Sequence, residues 1–257
     1  MNTYAAKVLP PVAAAGVLLA AWWAFVTLSD VSPVLLPGPL AVAEAGVEAW
    51  SEILRHSGWT LLEALGGFVT ATFLGVFGAI VFTLSPRLAA AFYPLVIALK
   101  MIPLIALAPL IVLWLGTGLV SKVAMAAIVA FFPILVNTLR GLSSVGQEQR
   151  ELFQTLRASR TQTLLKLRLP SALGYMLAAL RVSAVFAVIG AVVAEFIGAS
   201  VGIGYFIKVA SYYAATDRMI AGIIATGAVG IALYVPVLLI ERMSPRWRYL
   251  ATGDVPV

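Results

Sequence analysis

The chain has no cysteine, a single histidine and few charged residues, and each shortage closes off a kind of chemistry. Without cysteine there is no disulfide, thiolate metal site or cysteine nucleophile, although the compartment stays open. Gly198-Ala-Ser-Val-Gly202 matches the Gly-x-Ser-x-Gly nucleophile elbow, but that elbow needs a preceding strand and a histidine base. The one histidine, His56, falls in a different outer loop, so hydrolase chemistry is excluded. No Gly-x-x-x-x-Gly-Lys-[Ser/Thr] phosphate loop occurs, and the chain cannot hydrolyse ATP by that route. Charged residues make up 11% of the sequence, less than half the roughly 25% usual in soluble domains.

What fills the space is apolar. Hydrophobic residues are 62% of the chain and the mean hydropathy is +1.03, which marks an integral membrane protein. Runs able to supply the ~20 residues that cross a bilayer occur at residues 12–28, 61–84, 93–115, 123–139, 172–198 and 219–240. The expectation is therefore an all-α, polytopic membrane protein of about six transmembrane helices, forming one domain over residues 1–257. The first run carries Trp22 and Trp23 and is followed by Thr27-Leu28-Ser29, with no small-x-small cleavage site, so it reads as a retained anchor.

Basic residues set the orientation, because Lys and Arg accumulate in cytoplasmic loops. With both termini inside, the cytoplasmic segments hold Lys7, Arg87, Arg140, Arg150, Arg157, Arg160, Lys166, Arg168, Arg242, Arg246 and Arg248. The outer loops hold only Arg55, Lys122, Lys208 and Arg218. The net charge of +6 is thus a topology signal, spread over loop ends beside the lipid, and implies no nucleic-acid partner. Between the first two spans, Pro37-Gly38-Pro39 is a turn signal. After it an amphipathic helix is expected over residues 40–54, with Val42, Ala45, Ala49 and Ile53 on one side and Glu44, Glu48 and Glu52 on another.

The longest polar island, residues 140–171, reads as two short cytoplasmic helices. Gly146 is a weak N-cap for a helix from Gln147 to about Arg157, with Glu148 and Glu151 in its first turns and Arg157 in its last, as the helix dipole favours. Ser159 and Gln162 have capping-box spacing and start a second helix. Leu152, Phe153 and Leu156 form an apolar patch that needs a cover, either a groove on another protein or the chain's own helix ends.

Within the spans, charged residues are functional candidates. Lys100 and Arg181 lie about 9–15 Å from the cytoplasmic ends of their helices, and Glu195 lies near the outer end of the fifth span. Arg181 and Glu195 are roughly 21 Å apart along one helix and cannot pair within a protomer. Pro94, Pro103 and Pro109 all fall in the third span, where Pro103 and Pro109 free carbonyls and should bend the helix, as suits backbone that lines a path. Glycines at 66, 67, 75 and 78, and at 222, 227 and 230, are expected to allow close helix contacts.

Glu151 followed by Leu152-Phe153, then Arg157 and Leu167-x-Leu169-Pro170, resembles the "EAA" loop of bacterial ABC importer permeases. That loop has a glutamate, two alanines, a glycine and a distant Ile-x-Leu-Pro. The segments Leu99-Lys-Met-Ile-Pro-Leu-Ile-Ala-Leu-Ala-Pro, Ala130-Phe-Phe-Pro-Ile-Leu-Val-Asn-Thr, Ala158-Ser159 with Gln162, and Val193-Ala-Glu-Phe-Ile-Gly followed by Gly202-Ile-Gly-Tyr look like the nitrate/sulfonate/taurine-type permease family. The resemblance covers most of the chain from about Leu36 and includes a Leu-Arg position at Arg181. It departs at Leu152, Phe153 and Arg157, which replace small residues, and at Glu63, where a basic residue is expected.

The resemblance implies a type I ABC importer permease in the bacterial inner membrane. It implies two permease copies, here a homodimer, on two ATP-binding subunits, fed by an extracytoplasmic solute-binding protein. ATP and Mg would sit on the ATPase and no cofactor on this chain. Glu151, Leu152, Phe153, Leu156, Arg157, Ala158, Ser159 and Gln162 are the expected coupling residues. Lys100, Pro103, Pro109, Arg181 and Glu195 are the expected translocation-path residues. The solute would be small and polar or anionic, of the nitrate/sulfonate/taurine kind; a pyrimidine thiamine precursor, riboflavin or an aromatic acid are the alternatives. An ion-coupled secondary transporter is the alternative of another class and predicts inverted repeats, which the sequence does not display.

Overall fold

The computed structural model describes the backbone of residues 3–243 and the side chains of residues 9–243. The side chain of Lys7, together with Arg246 and Arg248, lies outside the described residues. Among the described residues every regular element is helical. Helix α1 spans Thr3–Leu28, α2 Pro39–Glu48, α3 Trp50–Leu84, α4 Pro86–Lys100, α5 Leu104–Leu115 and α6 Leu119–Ser143. Then follow α7 Gln147–Thr155, α8 Arg160–Thr163, a π-helical turn Leu164–Arg168, α9 Leu169–Gly198, α10 Ile203–Tyr212 and α11 Thr216–Arg242. Among the described residues five helices are long and apolar enough to cross a membrane, and the count is six when the bent pair α4–α5 is taken as one span.

The core is α3, α6 and α9 packed through small residues. Ala64 and Ala71 of α3, Ala126 and Ala130 of α6, and Ala184, Ala187 and Ala191 of α9 are buried together. Glycine sets the closest approaches. A β-carbon on Gly190 would stand 2.7 Å from the Ala126 α-carbon, and one on Gly75 would stand 2.8 Å from the Ile134 side chain. One on Gly67 would collide with Ala126 from the opposite side. Gly66 and Gly78 also face α6, and Gly222 meets Phe206 and Ile207, whereas Gly227 and Gly230 face nothing within 4 Å. These two glycines therefore do not serve the expected helix contact within the chain.

Three segments differ from their sequence reading. The outer amphipathic stretch is two helices, because Ala49 leaves helical geometry (φ −89°, ψ 11°) and α3 restarts at Trp50. Its apolar face is as expected: Val42, Ala49 and Ile53 bury against Ile203, Phe206 and Ala221. The third span, read as one kinked helix, is broken, with α4 and α5 meeting at 102°. Pro103 forces Ile102 away from helical geometry and itself stands at φ −59°, ψ 120°, so the helix stops and restarts. Pro94 and Pro109 stay inside α4 and α5. Finally, α8, the π-helical turn and α9 join into one helix of 39 residues, Arg160–Gly198, so the fifth span reaches far into the polar island.

Candidate coupling and translocation sites

The polar island projects from the bundle as a helix-turn-helix. Gly146 caps α7 in extended geometry without a side-chain bond, and the helix ends at Thr155. Arg157 thus lies past the C-cap and not in the last turn; its φ is +49°, the left-handed region that glycine occupies without strain. A glycine at this position in the resembled loop has the same physical reason. The chain then turns into α8 through a complete capping box. The Ser159 amide donates to Gln162 Oε1 at 2.8 Å, and the Gln162 amide donates to Ser159 Oγ at 3.2 Å.

The three apolar residues of α7 part company. Leu152 and Leu156 are 56% and 67% exposed and present one face outward. Phe153 is half-buried and turns inward to a cavity beneath α7, where it lies with Leu84 and Leu164. Ala158 is half-buried, and its amide donates to the Phe153 carbonyl. Glu151 is exposed and accepts a 2.8 Å hydrogen bond from Gln147 Nε2, so its carboxylate steadies its own helix.

Among the path candidates, Lys100 ends α4 at the break of the third span, with Nζ 4.5 Å from the Phe132 ring centroid. It lines a cavity of about 540 Å³ together with Phe131, Phe132 and Phe186. Pro103 caps α5 at the same break, while Pro109 lies within α5. Arg181 is partly exposed and has a partner: its Nε lies 3.1 Å from the Glu241 carboxylate of α11.

Glu195 sits in a different place, inside a polar cluster near the opposite end of the bundle. Thr60 Oγ1 donates to Glu195 Oε1 at 2.6 Å and the Gly204 amide to Oε2 at 2.6 Å. Thr60 Oγ1 in turn accepts the Ile203 amide, and His56 Nδ1 accepts the Gly202 amide at 3.0 Å. Lys122 donates to the carbonyls of Thr117 and Gly198. Glu63, 2% exposed, completes the cluster with Oε2 unpartnered. Gly202 has φ +103° and a β-carbon there would overlap the Glu195 carboxylate, so only glycine fits. His56 and Lys122 are thus buried in helices and not in outer loops, and their part in the cluster went unread. The available signal was their position within one or two turns of an apolar run.

Apolar spans, one bent pair beside a cavity, and a capped helix-turn-helix with an outward apolar face define a polytopic membrane protein with a projecting polar loop. The chain matches the family described as "Binding-protein-dependent transport system inner membrane component" over residues 67–249 and belongs to it. It is an ABC-transporter permease of the inner membrane, a family that works with ATPase and solute-binding partners.

It is similar to a riboflavin transport system permease protein of Chloroflexus aurantiacus, 36% identical over 232 residues, covering 90% of this chain and 87% of that one. A formylaminopyrimidine transport permease protein of Halalkalibacterium halodurans is 35% identical over 217 residues, covering 84% and 87%. A taurine transport system permease protein of Escherichia coli is 31% identical over 238 residues, covering 90% and 86%.

The left-handed Arg157 yields a prediction. A non-glycine residue there costs ~1–2 kcal/mol, of which glycine's extra chain entropy returns ~0.5–1. Arg157→Gly should therefore stabilise the detergent-solubilised permease by up to about 1 kcal/mol, read as a higher thermal midpoint, while Arg157→Val should lower it.

Proposed function

We propose that the chain forms, as a homodimer, the translocation path for a small polar or anionic solute of the sulfonate/taurine kind, delivered by a binding protein. ATP and Mg act on the ATPase subunit, and this chain carries no cofactor. The observation that carries the coupling role is the outward Leu152–Leu156 face on α7, held by Glu151 and by the turn through Arg157, Ala158 and the Ser159–Gln162 box. An apolar pair this exposed at the end of a capped helix suits a groove on a partner. Lys100 supports an anionic solute, because a cation at the broken span offsets dehydration of a negative charge on its way through. Pro103 ends the helix at that break and Pro109 lies in α5 beyond it, while Arg181 pairs with Glu241 of α11 and Glu195 ties α9 to α3 and α10.

A second reading of the solute has its own support. Phe131, Phe132 and Phe186 wall the Lys100 cavity, and a flat heteroaromatic molecule would stack there. Two of the relatives carry names of that kind. Ion-coupled secondary transport is set aside by the family match.

The docking role is tested by Leu156→Asp. A charge buried in the contact costs a few kcal/mol, so ATPase copurification should fall at least about a hundredfold while the permease stays in the membrane. Phe153→Asp should instead lower the permease's own stability, because Phe153 faces inward. Unchanged copurification in Leu156→Asp would refute the docking face.

Orientation follows the basic residues, with the α7 end cytoplasmic and α2 and α10 outside. In this cysteine-free chain, single cysteines at Ser51, Gln154 and Ser211, all exposed, can be labelled in intact cells with an impermeant thiol reagent. Labelling is expected at Ser51 and Ser211 only; the reverse pattern would invert the topology.

The solute is tested in proteoliposomes holding the transporter and its binding protein. Taurine or an alkyl sulfonate should be taken up, and Lys100→Gln should reduce uptake at least about tenfold with basal ATPase activity retained. Uptake of riboflavin or a formylaminopyrimidine in place of the sulfonate, with no effect of Lys100→Gln, would select the heteroaromatic reading.

A further inference from the structure

Beneath α7 lies a cavity of about 370 Å³ lined by three arginines, Arg150, Arg160 and Arg168, and by no acidic residue. None of the three takes part in an ion pair among the described residues; those present join Arg181 to Glu241, Arg218 to Glu52, and His56 to Glu52. The carboxylate nearest in sequence, Glu151, is held by Gln147. Arg150 is pinned in place: its Nε and Nη2 donate to the Val145 carbonyl at 2.9 and 2.6 Å and Nη2 also to the Ser143 carbonyl at 3.3 Å, which leaves Nη1 without an acceptor among the described residues.

Arg160 and Arg168 reach the same cavity for a backbone reason. In an ideal α-helix, residues eight apart are rotated by about 80° from one another. The wider turn over Leu164–Arg168 takes up part of that offset, so both side chains line one wall. The cavity also has an apolar side, made by Phe153, Leu84 and Leu164. Leu84 is the last residue of α3, where the apolar span ends, so the guanidiniums stand at the level of lipid headgroups.

We propose that this cavity binds a phosphate-bearing anion through Arg150, Arg160 and Arg168. Guanidinium forks pair with two phosphate oxygens at once, and these three residues, Arg150 and Arg160 exposed and Arg168 half-buried, gather positive charge with no acid beside it. The phosphate has two possible sources, the phosphodiester of an anionic lipid and free inorganic phosphate. Depth and the apolar wall favour the lipid, because a headgroup at this level brings glycerol and acyl carbons to Phe153 and Leu84. The ligand would then fix the floor under the coupling helix, so that lipid composition acts on the contact with the ATPase. The inference rests on α7 lying at a membrane surface and is independent of which solute is carried.

The test is native mass spectrometry of the full chain, alone and with its ATPase subunit, in the presence of phosphatidylglycerol, phosphatidylcholine or inorganic phosphate. Wild type should retain phosphatidylglycerol at least about tenfold better than phosphatidylcholine, equivalent to ~1.4 kcal/mol. Arg160→Gln with Arg168→Gln should abolish that preference. Arg140→Gln, which removes a charge outside the cavity, should keep it, and the charge-conserving Arg160→Lys with Arg168→Lys should keep only part of it, because an ammonium lacks the fork.

Displacement of the lipid by inorganic phosphate would assign the site to the free anion, and retention of the lipid would assign it to the headgroup; either supports the phosphate site. The proposal is overturned by an absent preference in wild type, by a preference that survives the double glutamine variant, or by lipid loss when the ATPase binds. The last would assign the arginines to an acidic partner surface. ATPase copurification is read in the same experiment, so a failed phosphate site leaves the permease reading standing.

Discussion

In hydrocarbon, an apolar side chain gains nothing by exchanging lipid for protein, so the bundle is held by how closely its helices approach. The closest approach runs through one residue. Ala126 of α6 is met from α3 by Gly67 and from α9 by Gly190, each without a β-carbon because the space is already taken. Dispersion contacts fall off steeply with separation, so a methyl group on either glycine would open both interfaces along their length. The broken span, the polar cluster and the projecting loop all take their positions from this three-helix sandwich.

The polar cluster does for the outer turn what the glycines do for the helices. The amides of Gly202, the N-cap of α10, and of Ile203 and Gly204, its first two residues, have no acceptor within that helix, and in an apolar surrounding an unpaired amide is expensive. His56, Thr60 and Glu195 accept them, and α10 is thereby tied to α3 and α9. The contrast is α1, whose membrane-length segment has no fully buried residue within the chain and packs on the rest chiefly through Trp22. Most of that helix is left to meet lipid or a partner.

Much of the fold class was readable because composition and the spacing of apolar runs carry it. The capping box at Ser159 and Gln162 was also readable, since its two hydrogen bonds depend on residues three apart. The 102° break was not. Proline removes one amide locally, but whether a helix merely bends or stops depends on what the following segment packs against, and α5 packs on α9 and α6.

His56 and Lys122 were assigned to loops because charge ended the apolar runs, whereas buried carbonyls and amides from distant segments let the helices continue past them. Arg157 gave no local sign of a left-handed backbone; only the glycine of the resembled loop hinted at it. Arg181 looked solitary because its carboxylate, Glu241, is sixty residues away in sequence.

The continuous helix from Arg160 to Gly198 spans 39 residues, about 58 Å at 1.5 Å per residue. It begins beside the coupling loop and ends at the carbonyl that Lys122 grips, three residues past Glu195. Held against Ala126 at Gly190, such a rod is a lever with unequal arms, about 45 Å toward Arg160 and about 12 Å toward Gly198 at 1.5 Å per residue. A tilt of ~5° would carry the tip of the long arm roughly 4 Å and that of the short arm roughly 1 Å in opposite directions. Work done on one tip by a partner that consumes ATP must then be felt at the other, and a load placed on the outer turn must bias the inner tip by the same free energy. The π-helical turn Leu164–Arg168 interrupts the regular α-helical bonding of this rod close to its Arg160 end.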